Sequence, residues 1–431
     1  MHNRFVADKS FHLWAFLVFI VVGAVSLSKP MQLAPDSSGY INMEIIRSPT
    51  YPMFLQLLQS LFGKGYLTAT LILQNLINFW AVYYLVRSLR KTIPMNGIWY
   101  ALLLVILLVP CVYTVNIVNM VLSGALAYPL YLVVVGLYIK AFIKERITYL
   151  LYAMPWLFVL ILTRSQFLFL VVAGFLLGLF TIYNSKNYRK GMLVLGLFLL
   201  LPILTSQADK LYHKVVHGAY VNTPWTGIHL LTPAMFVANS SNADAFDDSV
   251  ERAFFKKMIA RLEAKKLTLN TLELGNNETD ITFYVDNYTQ IANHTLYDEG
   301  KELLGANLTE DEKYMQLDAL TKDMVPTLVL LNFKKWAAIN LKNFIYGFDS
   351  ARYALVFFIL LIFSGIKLST GTANEVVKFI FLGVLLTFLN VGLVATGIHT
   401  IRRFMFYNDW VLYAMLFMLL DRFIKQGVWN R

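Results

Sequence analysis

The chain has 431 residues, of which 58% are hydrophobic, and a formal net charge of +11; its mean hydropathy is +0.57. A soluble core cannot hide that much apolar surface, so an ordinary soluble domain is excluded and a polytopic membrane protein is implied. The positive excess is then a matter of charge placement across a bilayer, with no call for nucleic acid.

Apolar stretches near the roughly 20 residues that cross a bilayer fall at 11–27, 66–86, 97–115, 124–143, 147–163, 166–183, 191–206, 351–367, 376–397 and 409–424. They predict an all-α polytopic membrane protein of about ten transmembrane helices. Lys29 and Pro30 follow the first stretch with no small-residue cleavage site, so it reads as a retained helix and not a signal peptide. Lysine and arginine gather in "RSLRK" (87–91), "KAFIKER" (140–146), "SKNYRK" (185–190) and the tail from Arg422. The positive-inside rule therefore puts both ends in the cytoplasm. Gln74, Asn75 and Asn78 lie within an apolar span and are expected to face the bundle interior, hydrogen-bonding between helices.

The first outer connection, from about Ser28 to Gly65, is much longer than a chain reversal needs. It carries "PDSSGYINMEIIRSPTYP" at 35–52. Residues before proline favour extended backbone, so "RSPTYP" reads as a stiff strap and Pro52 as the start of the helix "PMFLQLLQSLF". The strap is expected to fix Asp36, Tyr40 and Arg47 above the membrane.

A large insert from about Gln207 to Val325 holds 18 of the 26 acidic and 11 of the 37 basic residues, a net −7 that leaves +18 for the remainder. It reads as a separate, mostly helical extracytoplasmic domain. The domain organisation is then 1–206 (seven spans and the first outer loop), 207–326 (the insert) and 327–431 (an interfacial helix and three spans). "SVERAFFKKMIARLEAKK" at 249–266 has helical periodicity, whereas 270–282 reads as loop. Five Asn-x-Ser/Thr triplets, at Asn239, Asn277, Asn287, Asn293 and Asn307, match what chance gives in an Asn- and Thr-rich segment. His213 and His217 in "HKVVH" have the four-residue spacing of a metal pair, but no third ligand accompanies them, and no metal is assigned. Cys111 stands alone, and no Walker loop, HExxH or CxxC occurs.

Outside the insert, topology assigns Asp8, Glu145, Glu375 and Asp421 to the cytoplasmic side, leaving Asp36, Glu44, Asp349 and Asp409 outside. Arg164, Lys334, Lys335, Lys342, Arg402 and Arg403 share that outer face against the usual bias, which calls for an anionic partner. Arg402 and Arg403, beside His399 in "HTIRRFMFY", suit a phosphate gripped by two planar guanidiniums. Segment 328–346 reads as one amphipathic helix in the outer interface, with Trp336 and Tyr346 at headgroup depth and Lys342 within reach of a lipid phosphate.

Asp36 and Tyr40 followed by Arg47-x-Pro49-x-Tyr51-Pro52 and an apolar helix resemble the GT-C class of integral-membrane glycosyltransferases. Similar too are Thr163-Arg164 at an outer span junction, the "W…NLKNF" helix and the pair Arg403-Phe404. The likeness covers 1–206 and 326–431. Ser37 and Ser38 stand where many members have a further acid, and the last span lacks the usual prolines, which favours the bacterial branch that decorates envelope glycans or lipids over protein mannosyltransferases. The resemblance implies a bacterial inner (cytoplasmic) membrane protein with a periplasmic or extracellular active site and a polyprenyl-phosphate-linked sugar donor. The acceptor would be a glycan, lipid or protein hydroxyl, and no nucleic acid is involved. Asp36 would be the general base, and Arg402, Arg403, Lys342 and Arg164 the donor-phosphate clamp. Tyr40, Glu44, Arg47, Tyr51 and His399 would position substrates. No cofactor is assigned; a divalent metal would need more ligands than Asp36 and Glu44, which phosphate oxygens could supply. Two other readings stand beside it. An O-antigen polymerase or ligase would put functional Arg and His in its large loop, whereas a lipid-linked sugar flippase would line its spans with charge.

Overall fold

The computed structural model describes residues 2–425, with side chains from residue 9 onward except Ser185; the side chain of Asp8 and the tail beyond Lys425 lie outside the described residues. The described chain is helical throughout: α1 (His2–Leu27), α2 (Ser37–Ile41), α3 (Thr50–Phe62), α4 (Tyr66–Arg90), α5 (Gly97–Val112) and α6 (Gly124–Lys144). There follow α7 (Thr148–Thr163), α8 (Phe169–Ser185), α9 (Tyr188–His217), α10 (Thr226–Val237), α11 (Ser249–Ala264) and α12 (Asp280–Thr289). Last come α13 (Glu310–Leu331), α14 (Phe333–Tyr346), α15 (Ala351–Ser369), α16 (Glu375–Gly397), α17 (Arg402–Met405) and α18 (Asp409–Lys425).

Eight segments among the described residues are long and apolar enough to cross a membrane: Lys9–Leu27, Thr50–Arg90, Gly97–Asn119, Gly124–Ile143, Ser165–Asn184, Tyr188–His217, Ala351–Ser369 and Glu375–Gly397. The chain is thus a polytopic helical membrane protein. The other two expected spans are α7, of 16 residues, and α18, of 17, both short of the usual crossing length.

The bundle is organised around α6, whose crossing segment is 89% buried, while that of α15 is only 11% buried and faces outward. Polar residues of α4 tie it to α1, to α6 and to the connector between α5 and α6, since an apolar surround makes an unpaired amide costly. Gln74 donates to the Val118 carbonyl at 2.8 Å, Asn78 to that of Ala125 at 3.0 Å, and Asn75 to the Ser26 hydroxyl at 2.9 Å.

The insert has its own core, built from α10–α13 and the segment between α12 and α13, with Phe236, Phe255, Leu262, Tyr284 and Leu328 at its centre. The helix expected over 249–266 is α11, and the loop expected at 270–282 runs to Thr279, where Thr279 caps α12. Two boundaries differ from the expectation. The strap is shorter, because α3 starts at Thr50 and Pro52 falls in its first turn, where a missing N–H costs nothing. The single helix over 328–346 is two, broken at Asn332 between α13 and α14.

Candidate functional site

The connection between α1 and α3 is tied down before it reaches Asp36. Gln32 pairs its backbone with Asn119 and Val121 in the connector between α5 and α6, the Ser37 hydroxyl donates to the Val121 carbonyl at 2.9 Å, and the Tyr40 hydroxyl meets that of Ser123 at 3.0 Å. Met43 then takes φ +53, a left-handed turn that costs a non-glycine residue about 1–2 kcal/mol. That turn sends the chain back so that Arg47 returns beneath Asp36.

Asp36 is bridged by two guanidiniums. Arg47 Nη2 lies 3.2 Å from Oδ1 and Arg403 Nη2 lies 2.7 Å from Oδ2. Burial alone raises the pKa of this carboxyl, but the charges and hydrogen bonds of Arg403 and Arg47 outweigh it and hold the pKa below the ordinary 3.8. Gly39 makes room for this return, since a Cβ there would stand 2.6 Å from Arg47 Nε and 2.8 Å from Glu44 Oε2. Arg47 Nε is buried without an acceptor, and the guanidinium lies 4.8 Å above the Tyr40 ring.

Asp36, Tyr40, Glu44, Arg47, Arg164, His399 and Arg403 all line one cavity of about 570 Å³. Arg164 is positioned by the Tyr407 hydroxyl at 3.2 Å and lies 4.7 Å from the Phe404 ring centroid. His399 donates from Nδ1 to the Val285 carbonyl at 3.0 Å and stacks on Tyr288 at 4.2 Å. Burial lowers its pKa and the Arg403 charge adds to that, against the hydrogen bond to Val285.

Three expected residues lie elsewhere. Arg402 turns away from its neighbour and pairs with Asp409 at 2.8 Å and Asp349 at 3.6 Å, lining a second cavity. Consecutive residues on a helix point about 100° apart, so the two guanidiniums do not converge on one phosphate. Lys342 forms an ion pair with Asp280 of the insert and is not part of the Asp36 cavity. Tyr51 is fully buried, donating to Gln74 at 2.8 Å, and supports the cavity only by an edge-on contact beneath Tyr40.

The insert closes the cavity with residues that sequence reasoning missed: Trp225, His229, Tyr288, Asn293, Tyr297, Asp298 and Tyr314. Asn293, Tyr297 and Asp298 come from Gln290–Glu299, ten residues of π-helix that continue α12. Such wide turns are rare and concentrate at functional sites. His229 hydrogen-bonds to Tyr288 at 2.8 Å, and burial, with His399 adding, pushes its pKa down to about 3, so it is neutral. The one available signal was local: "TPWTGIHL" interrupts the acidic insert with Trp, His and no charge. His213 and His217 pair instead with Asp209 at 3.4 Å and Asp311 at 2.8 Å.

The cavity therefore joins three carboxylates (Asp36, Glu44 and Asp298), three guanidiniums (Arg47, Arg164 and Arg403) and an aromatic roof, and at Asp36 two of the guanidiniums meet one acid, an arrangement able to hold an anion beside a proton acceptor. No family model matches the chain, and no similar curated protein or solved structure is found.

Proposed function

We propose that the protein is an inverting glycosyltransferase of the GT-C class, moving a sugar from a polyprenyl-phosphate donor to an acceptor hydroxyl of an envelope glycan, lipid or protein. In this reading α7 and α18 complete ten transmembrane helices in a bacterial inner membrane, and the cavity opens to the periplasmic or extracellular side. The observation that carries the reading is Asp36, bridged by Arg47 and Arg403 in a cavity that Arg164 also lines.

The acceptor oxygen attacks the anomeric carbon as the bond from that carbon to the phosphate oxygen breaks. The electron pair leaves with polyprenyl phosphate, the hydroxyl proton passes to Asp36, and the single displacement inverts the anomeric centre. Phosphate departs as a stable anion, so the second carboxylic acid of glycoside hydrolysis is not needed. Arg403, Arg164 and the free Nε of Arg47 hold the phosphate and offset the charge that grows on it. Asp36 is a weak base while both guanidiniums hold it; a donor phosphate that takes over Arg403 leaves the carboxylate more basic. The neutral imidazoles of His229 and His399 and the aromatic roof would then face the sugar and acceptor.

Transfer from a labelled polyprenyl-phosphate sugar, measured with purified protein, tests the proposal. Asp36→Asn should bind donor and transfer almost nothing; near-normal transfer by the folded variant would remove Asp36 from the chemistry. A second reading, the polymerase or ligase, is favoured by His229, which brings an insert histidine to the cavity. Polyprenyl pyrophosphate as the released product would select it over the first.

A further inference from the structure

Arg402 and its partners form a site that the glycosyl-transfer reading does not use. Their cavity, about 210 Å³, lies among the start of α15, the end of α16 and the start of α18. It is small beside the roughly 300–1,000 Å³ of pockets that enclose whole drug-sized ligands, and suits a compact group. Its surroundings are those of the lipid interface. The crossing segment of α15 is 11% buried, and Tyr353 and Tyr413, exposed and lining the cavity, stand where aromatic rings sit at headgroup depth.

The charge pattern is specific. One guanidinium, Arg402, faces two carboxylates, Asp349 and Asp409, so the group carries one unbalanced negative charge. Asp349 is largely exposed, and its 3.6 Å separation from Arg402 is too long for a good hydrogen bond. Asn408, 4% exposed and lining the same cavity, accepts from the Tyr131 hydroxyl on Oδ1 but leaves Nδ2 buried without an acceptor. The cavity thus offers spare donors in Arg402 and Asn408 and a spare acceptor in Asp349. A ligand that satisfies all of them carries a phosphate and, a few bonds away, an ammonium with N–H donors.

We infer that this cavity binds the headgroup of a zwitterionic aminophospholipid, its phosphate on Arg402 and Asn408 and its primary ammonium between Asp349 and Asp409. The acyl chains then lie along the exposed apolar face of α15, where Leu355, Phe358 and Ile362 offer continuous hydrocarbon contact. The proposal needs only that α15 faces lipid, and holds whichever leaflet that is. A headgroup with a quaternary ammonium has the same phosphate but no N–H to donate, and an anionic glycerol headgroup meets two carboxylates with nothing to offset them.

The test uses the full-length protein purified in mild detergent, with phosphatidylethanolamine, phosphatidylcholine and phosphatidylglycerol of matched chains added in competition. Bound lipid is counted by native mass spectrometry. Phosphatidylethanolamine should be retained at least fivefold over each of the others. Asp349→Asn with Asp409→Asn should abolish that preference, and Arg402→Gln should lower retention of phosphatidylethanolamine and phosphatidylcholine together. Equal retention of the three lipids by the unaltered protein, or a preference for phosphatidylglycerol, would overturn the inference with no variant needed. So would an unchanged preference in the folded double variant. Binding of a polyprenyl phosphate at the Asp36 cavity should stay the same throughout, which separates this inference from the glycosyl-transfer reading.

Discussion

Arg402 and Arg403 are adjacent in sequence and lie on one short helix, yet they serve two cavities. Arg403 completes a bridge over Asp36 inside a 570 Å³ space roofed by the insert, whereas Arg402 sits between Asp349 and Asp409 in a 210 Å³ hollow. The first carboxylate is held by both guanidiniums, and in the proposed reaction it becomes available when the donor phosphate competes for Arg403. The second group keeps a spare carboxylate in the resting state. As proposed, equal residue types would then give a poised proton acceptor in one place and a standing binding site in the other, with the number of acids in direct contact with each arginine making the difference.

The sharpest way to break the comparison is at Asp36. Asp36→Asn keeps the shape and cannot take the proton, so turnover should fall about 100-fold or more, within the range for a lost general base, while donor binding changes little. Turnover and donor affinity measured on the same folded preparation decide it; a parallel fall in both would make Asp36 a binding residue. Arg403→Ala follows. Losing a charge-assisted contact worth about 1.5–3 kcal/mol should weaken donor binding roughly 10- to 100-fold. Arg402→Ala should leave it within about twofold, because the side chain faces the other cavity. If both arginine variants weaken donor binding equally, the separation of the cavities has no functional meaning.

A smaller change probes the fit between loop and base. Gly39→Ala places a methyl group against Arg47 Nε and Glu44, and the resulting shift of the guanidinium should cost about tenfold in kcat/KM, as small misplacements do. An unaltered kcat/KM would mean that the Asp36–Arg47 contact is not needed in the reacting state. The pH profile reads the same bridge. Because Asp36 titrates below 3.8, kcat/KM should show no acid limb from it above about pH 4, and Arg403→Ala should move that limb upward. The stability from the bridge follows the same sign: it is fully present above the unfolded value and is lost as pH falls through the lower folded one. An acid limb near pH 6 that Arg403→Ala leaves in place would assign the base to another group.

What the sequence makes legible here follows from how few ways some residues can be satisfied. Gln74, Asn75 and Asn78 inside an apolar span had to find partners within the protein, and each does. Asp36, Tyr40, Glu44, Arg47, Arg164, His399 and Arg403 are legible through the family likeness and through charge set beside apolar spans, and they share one cavity. The direction of Arg402 was not legible, since neighbouring side chains on a helix diverge and the acids that capture it are far away in sequence or seven residues on. Tyr51 matched a motif but lies in the core, a place its hydroxyl accepts because Gln74 is there to receive it. The aromatic roof was hidden for the opposite reason: Trp225 at the start of α10, Tyr288 in α12 and Tyr297 in the π-helical turns belong to separate segments that meet over the cavity only in the folded insert.

The smallest expected effect concerns Lys342, which chemistry alone places with the phosphate clamp. The side chain is about half exposed and pairs with Asp280 at the start of α12, joining α14 to the insert. A solvent-exposed pair of this kind contributes about 0–1 kcal/mol, part of it screened by salt. The neighbouring Asn343, buried, anchors α14 independently to the segment after α16, donating to the Ile398 carbonyl at 2.8 Å and accepting from the Thr400 backbone at 3.1 Å. Lys342→Ala should therefore lower the melting temperature by no more than about 2–3 °C, with a smaller shift at high salt, and leave donor affinity within about twofold. Thermal unfolding and donor titration at two salt concentrations measure both quantities. A tenfold loss of donor affinity with unchanged stability would bring Lys342 back to the phosphate and require the insert to swing away from α14 when the donor binds.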